Sequence, residues 1–132
     1  IIQLHGDETQ DLCKQVASAL YRPVWKALPV AGPRDVDGLD TWPADALLLD
    51  APSPGRGGSG KQFDHGVARE ARTRFPNVKI VLAGGLTPQN VRAAIETSKP
   101  WAVDVASGVE IVPGVKDRDK LTAFVAAVRG AA

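Results

Sequence analysis

Carboxylates, a histidine and paired glycines recur at one kind of place in this chain, directly after short apolar runs. Asp50 follows Ala46-Leu47-Leu48-Leu49, so its carboxyl emerges from an apolar layer, where desolvation favours the protonated form and a proton-donor role. A helix or turn cap is the competing reading. Asp104 lies within Val103-Asp104-Val105. A carboxylate in a strand that points inward needs a hydrogen-bond donor, which a ligand can supply. His5, in Leu4-His5-Gly6, is either a rim residue that touches a ligand or a satisfied structural histidine. Gly84-Gly85 lead into Leu86-Thr87-Pro88 and a helical pattern. Amides without side chains over them, beside a helix N-terminus, make an anion site, and phosphate is the ligand this suggests. A tight turn would want a glycine as well.

The segment Gly55-Arg56-Gly57-Gly58-Ser59-Gly60-Lys61-Gln62 satisfies part of the nucleotide-binding loop pattern. That loop requires Ser or Thr after the lysine to hold magnesium, and Gln62 stands there instead. Pro52-Ser53-Pro54 also separates the glycines from the run that ends at Asp50, whereas a phosphate loop follows its strand directly. An active-site flap with glycine hinges, and with Lys61 meeting an anionic substrate, fits better. Cys13 is the single cysteine, which excludes an intrachain disulfide and a cysteine-cluster metal site.

The elements that must position these residues alternate. Apolar, β-rich runs span Ile1 to Leu4, Val24 to Val30, Ala46 to Leu49, Val78 to Ala83 and Trp101 to Val105. Each is nearly continuous rather than alternating, the mark of parallel strands covered by helices. Helical spacing appears at Leu12, Val16, Ala19 and Leu20 behind an Asp7 cap, and again between Phe63 and Phe75. Thr87-Pro88 offers a cap and first-turn proline ahead of Val91, Ala94 and Ile95, and Leu121, Phe124, Val125 and Val128 mark a last helix. A weaker, shorter helix is expected from Pro33 to Trp42. Polar and glycine-rich residues fall at the carboxyl ends of the strands, where parallel α/β folds bind ligands.

Five strand-helix units without a linker fit one domain over residues 1–132, either a small open α/β sheet or part of an eight-unit barrel, which needs at least ~200 residues. An apolar fraction of 44% and a net charge of +1 suit a soluble protein, and call for neither nucleic acid nor membrane. The longest apolar stretches fall far short of the ~18 residues of a membrane span, and a cytoplasmic location is expected. The chain has no methionine and opens on Ile1-Ile2-Gln3-Leu4, a core strand already under way, so we expect it to begin inside a longer protein.

Taken in order, Ile2-Gln3-Leu4-His5-Gly6, Leu47-Leu48-Leu49-Asp50, Gly57 to Asp64, Leu82 to Val91, Val103 to Glu110 and Pro113 to Asp117 resemble phosphoribosylanthranilate isomerase, an enzyme of tryptophan biosynthesis. The resemblance implies a TIM-type (β/α)8 barrel, of which this chain supplies the fourth to eighth units. It implies an Amadori rearrangement of N-(5-phosphoribosyl)anthranilate to 1-(2-carboxyphenylamino)-1-deoxyribulose 5-phosphate, without cofactor or metal. On the family pattern Asp50 is the general acid, Asp104 orients the anthranilate amine, His5 contacts substrate, and Gly84, Gly85, Ser107 and Gly108 cradle the phosphate. His65 departs from the family's usual tryptophan.

The family's base, a cysteine ending the first strand, and its carboxylate-binding arginine lie in segments upstream of Ile1. Cys13, placed on a helix, is no substitute. We therefore expect the chain to be inactive by itself. The alternative is a non-catalytic phosphate-binding half-barrel or interaction module that pairs with an N-terminal barrel fragment or with a second copy.

Overall fold

The computed structural model describes residues 1–51 and 64–131. Its centre is a sheet of five parallel strands, β1 (Ile2–Leu4), β2 (Val24–Pro29), β3 (Ala46–Asp50), β4 (Ile80–Leu82) and β5 (Ala102–Val103). The helices are α1 (Gln10–Leu20), α2 (His65–Arg74), α3 (Val91–Ser98) and α4 (Arg118–Arg129).

The strands lie in the order β1-β2-β3-β4-β5, the order in which they occur in the chain. Parallel crossovers are right-handed, so a sheet wound in one direction receives all its helices on one face. A doubly wound sheet would instead reverse its order at a switch point. Sequential order thus decides between the two architectures that alternation alone leaves open: this is a stretch of (β/α)8-type barrel wall, unclosed among the described residues.

Side-chain parity shows the two faces. Leu47, Leu49, Ile80, Leu82 and Val103 join Val67, Ala68, Ala71, Val91, Ala94 and Phe124 from the helices in one core. Trp25, Ala27, Ala46, Leu48, Val81, Ala83 and Ala102 make a second, helix-free layer. Both faces of β3 are therefore dry, which is why its sequence is unbroken Ala-Leu-Leu-Leu. Burial of each of these leucines, at most 1% exposed, contributes roughly 1.5–3 kcal/mol. The sheet curls about the helix-free layer, with the Trp25 and Trp101 rings meeting edge to face at a centroid distance of 5.7 Å.

Several element ends differ from the expectations. Thr9 rather than Asp7 caps α1, its side chain accepting from the Leu12 amide. The inward face of α1 is Cys13, fully buried, while Leu12 and Leu20 are exposed. α3 begins at Val91, not at Pro88: Asn90 Oδ1 accepts from the Thr87 amide at 2.7 Å, which ties Thr87 and Pro88 into a turn before the helix. The expected helix from Pro33 to Trp42 is two 3-10 turns, Pro33–Val36 and Leu39–Thr41, because Gly38 takes a left-handed φ of 70° between them. An antiparallel hairpin, β6 (Glu110–Val112) with β7 (Val115–Lys116), turns at Gly114, φ 84°, and was not anticipated. No helix among the described residues is long and apolar enough to cross a membrane.

Candidate functional site

Parity carries over to the carboxyl ends of the strands. Asp50 is two residues beyond Leu48, and Asp104 two beyond Ala102, so both project on the helix-free side. His5 follows the ladder in which Gln3 pairs with Trp25, and so shares that side. His5, Asp50, Asp104, Gly84, Gly85, Ser107 and Gly108 all line one cleft of about 70 Å³ at this rim. The sequence reading selected these seven residues from four separate segments, and the fold brings all of them together.

His5 Nε2 stands 3.3 Å from Asp50 Oδ2. On its other side, Gln3 Nε2 stands 3.3 Å from His5 Nδ1, and in the neutral tautomer in which Nδ1 accepts from it the ring proton is on Nε2, directed at the carboxylate. Asp50 is mostly shielded, its side chain 17% exposed, while that of His5 is 41% exposed and open to a ligand. Burial pushes the Asp104 carboxyl above its ordinary range, and the negative charge of Asp50 adds to the effect; His5 and Lys116 oppose it.

The glycines are fitted by close approach. Gly84 has φ +82°, and a Cβ there would lie 2.6 Å from the Ala51 amide nitrogen and 3.0 Å from Asp50 Oδ1. Gly85 is also left-handed, φ 69°. A Cβ on Gly108 would overlap the carbonyl oxygen of Leu86, so the β4-α3 loop and the 3-10 turn Ser107–Val109 can touch only with glycine at this position. The result is a concave strip of backbone beside the two carboxylates, of the kind that receives a phosphate.

Supporting residues escaped the sequence reading. Asn90 Nδ2 donates to Gly85 O at 2.9 Å, holding the glycine turn. Lys116 Nζ donates to Ala106 O at 2.9 Å and pairs with Glu110 at 2.8 Å, which fixes the turn that carries Ser107. The Pro113-Gly114 dipeptide between β-branched residues was the available signal for that hairpin. Gln3 left no such signal, because its role depends on which way β1 faces.

Cys13 lies on α1, fully buried, with its thiol pushed up by burial, and it does not line the cleft. The Gly55 to Gln62 segment, with its expected flap and Lys61, lies outside the described residues. Among the described residues, no group of three His, Cys, Asp or Glu side chains is placed to hold a metal ion. A larger cavity of about 420 Å³, lined by Ile95, Trp101, Ala102, Val103 and Val128, contains none of the seven residues.

The family model described as N-(5'phosphoribosyl)anthranilate (PRA) isomerase matches residues 1–127. The N-(5'-phosphoribosyl)anthranilate isomerase of Trichlorobacter lovleyi is 48% identical over 126 residues, covering 95% of this chain and 58% of the relative. A crystal structure of phosphoribosyl anthranilate isomerase from Thermotoga maritima superposes with a TM-score of 0.84 at 43% identity, covering 97% of this chain and 60% of that one. Another solved isomerase, in complex with reduced 1-(o-carboxyphenylamino)-1-deoxyribulose 5-phosphate, gives a TM-score of 0.79 at 38% identity, covering 97% and 58%. The chain therefore spans about three fifths of the length of the relatives it matches. With a family model covering nearly its whole length, and a barrel wall that superposes on solved members, this chain belongs to the N-(5'-phosphoribosyl)anthranilate isomerase family.

Proposed function

We propose that this protein isomerises N-(5'-phosphoribosyl)anthranilate to the carboxyphenylamino deoxyribulose phosphate in tryptophan biosynthesis, and that residues 1–132 supply the acid and the phosphate cradle of that reaction. The observation that carries the reading is the convergence of Asp50, Asp104, His5 and the two glycine turns on one cleft. The likeness to an isomerase solved with a reduced form of the product supports a phosphorylated small molecule as the occupant.

In this reading the substrate phosphate rests on the Gly84-Gly85 and Ser107-Gly108 backbone, which places the ribose ring over Asp50. Asp50 passes a proton to the ring oxygen as the bond from that oxygen to the anomeric carbon breaks, and the anthranilate nitrogen takes up the positive charge as an iminium. Asp104 accepts a hydrogen bond from that nitrogen and holds the iminium in plane. A base then removes the proton from the neighbouring sugar carbon, giving an enolamine that tautomerises to the ketone. Concerted placement of acid and base removes the need for a free oxyanion or carbanion. The base belongs to the part of the family pattern upstream of Ile1, so this stretch alone is expected to be inactive.

The second reading, a phosphate-binding half-barrel that associates with an N-terminal fragment or with itself, is favoured by apolar exposure just ahead of both outer strands: Ile1 is 71% exposed and Trp101 53%. One experiment separates them. Loss of substrate fluorescence is followed with residues 1–132 alone and with the first three units of a related isomerase added. Turnover on mixing that disappears with Asp50→Asn supports the isomerase. A mixture that assembles, binds phosphate and stays inert supports the scaffold.

A further inference from the structure

Behind the cleft, on the helix-covered side of the sheet, lies a buried charge that the chemistry above does not use. Lys26 is 2% exposed. Its Nζ donates to Gly6 O at 2.7 Å and to Glu8 Oε2 at 2.9 Å, and Glu8 Oε2 also accepts from the Gly6 amide at 2.9 Å. Both polar groups of Gly6 are thereby held by one ion pair. The Trp42 ring, 5.8 Å from Nζ, covers the ammonium on a further side.

The place of this clamp in the chain gives it a consequence. The β1-β2 ladder ends with Leu4 opposite Lys26, so His5 lies one residue past the last ladder pair. β1 pairs only with β2 among the described residues. The next residue, Gly6, is where Lys26 and Glu8 take hold. A buried ion pair adds little stability over apolar residues of the same shape, and in some proteins such a pair serves instead to specify one arrangement. Gly6 lies two residues on from Leu4, the ladder partner of Lys26, so the lysine reaches the Gly6 carbonyl along the strand direction without leaving the core.

We propose that Lys26, acting with Glu8, is a positioning residue for the site: by clamping the Gly6 peptide it sets the His5 imidazole against Asp50. This deepens the isomerase reading and rests on it. Lys26 touches no reacting atom; it acts only through the His5-Gly6 backbone. A displacement of His5 by about an ångström would loosen the acid's partner and lower turnover by roughly tenfold to a hundredfold, with a smaller change in substrate binding, because the phosphate cradle lies on other strands and His5 supplies one contact of several.

The test is Lys26→Met in the full-length protein, which keeps the apolar stem and lets the partly exposed Glu8 return to water. Kinetics are normalised to folded protein and repeated in a His5→Asn background, and the imidazole nitrogen and carbon signals of His5 are followed by NMR, assigned by their loss in His5→Asn. The expected result is a kcat lowered at least tenfold with KM changed less than about threefold, no further loss when Lys26→Met is added to His5→Asn, and shifted His5 signals. An unchanged kcat per folded molecule, or losses that multiply in the double variant, would overturn the proposal. Should the unsubstituted protein show no isomerase activity, the isomerase reading fails, and the NMR signals then decide alone: shifted His5 resonances uphold the clamp and unshifted ones reject it. If Lys26→Met does not fold, Glu8→Gln is read by the same criteria.

Discussion

His5 Nε2 and Asp50 Oδ2 stand 3.3 Å apart although a whole strand, β2, lies between the strands that carry them. In a flat sheet, residues two strands apart are separated by roughly 10 Å. The pair forms because both residues face the helix-free side and the sheet curls toward that side. Barrel curvature is thus what converts two distant strand ends into an imidazole-carboxylate pair. If Asp50 is the acid, Asp50→Asn should lower kcat/KM by about 10²- to 10⁴-fold, and His5→Asn by a smaller factor. Neither should shift the melting temperature by more than a few degrees. Full activity in Asp50→Asn, measured by substrate fluorescence, would remove it from the mechanism.

The glycine cradle predicts unequal costs. Gly84→Ala places a side chain on a left-handed backbone and against the Ala51 amide, which should cost about 1–3 kcal/mol in urea unfolding and move Asp50 as well. Gly108→Ala meets the Leu86 carbonyl, so the two loops must separate. Affinity for inorganic phosphate should then fall at least tenfold, and calorimetric titration with an unchanged constant would show that these loops do not bind it.

Asp104 gives a pH signature with a definite sign. Its folded-state pKa is raised above the ordinary 3.8, chiefly by burial, so the folded protein holds this proton more tightly than the unfolded chain does. The stability that neutral Asp104 contributes is complete below the ordinary value and is lost as pH rises through the raised one. Asp104→Asn, which stays neutral, should be more stable than the parent at neutral pH, with the advantage vanishing toward about pH 3. A stability difference that does not vary across that range would contradict the assignment of burial as the cause.

Glu8 carries the opposite sign. The hydrogen bond from Lys26 is the largest cause of its lowered pKa, so its contribution is present above the ordinary 4.5 and is lost as pH falls through the depressed folded value. Glu8→Gln leaves the Lys26 ammonium buried without its carboxylate, and should cost on the order of 2 kcal/mol at neutral pH. Unfolding followed between about pH 3 and 7 should show that cost shrinking in acid.

The seven cleft residues were legible as polar or glycine positions at strand ends, but local chemistry left Asp50 and His5 with two readings each, and the roles of all seven, Ser107 and Gly108 above all, came from the family resemblance. Their supporting residues were not legible. Lys26 reads as an interruption in Val24-Trp25-Lys26-Ala27, and only its pairing partner makes sense of it. Asn90 and Lys116 act on carbonyls five and ten residues away, and those distances are set by loop paths. The cap of α1 was misplaced because Asp7 and Thr9 are both competent caps, and the choice between them depends on where Gly6 is tied down.

Hydrophobic patterning by itself determined that the strands are parallel and covered by helices, because a run apolar at every position can be satisfied only by burial on both faces. Local chemistry determined which residues could hold a proton or an anion. Only the tertiary structure decided that the strands follow one another in a single direction, and that the sheet curls until His5 meets Asp50 and Gly108 rests on Leu86. Strand order and curvature arise from crossover handedness and from packing between elements far apart in the chain, which no local window of sequence contains.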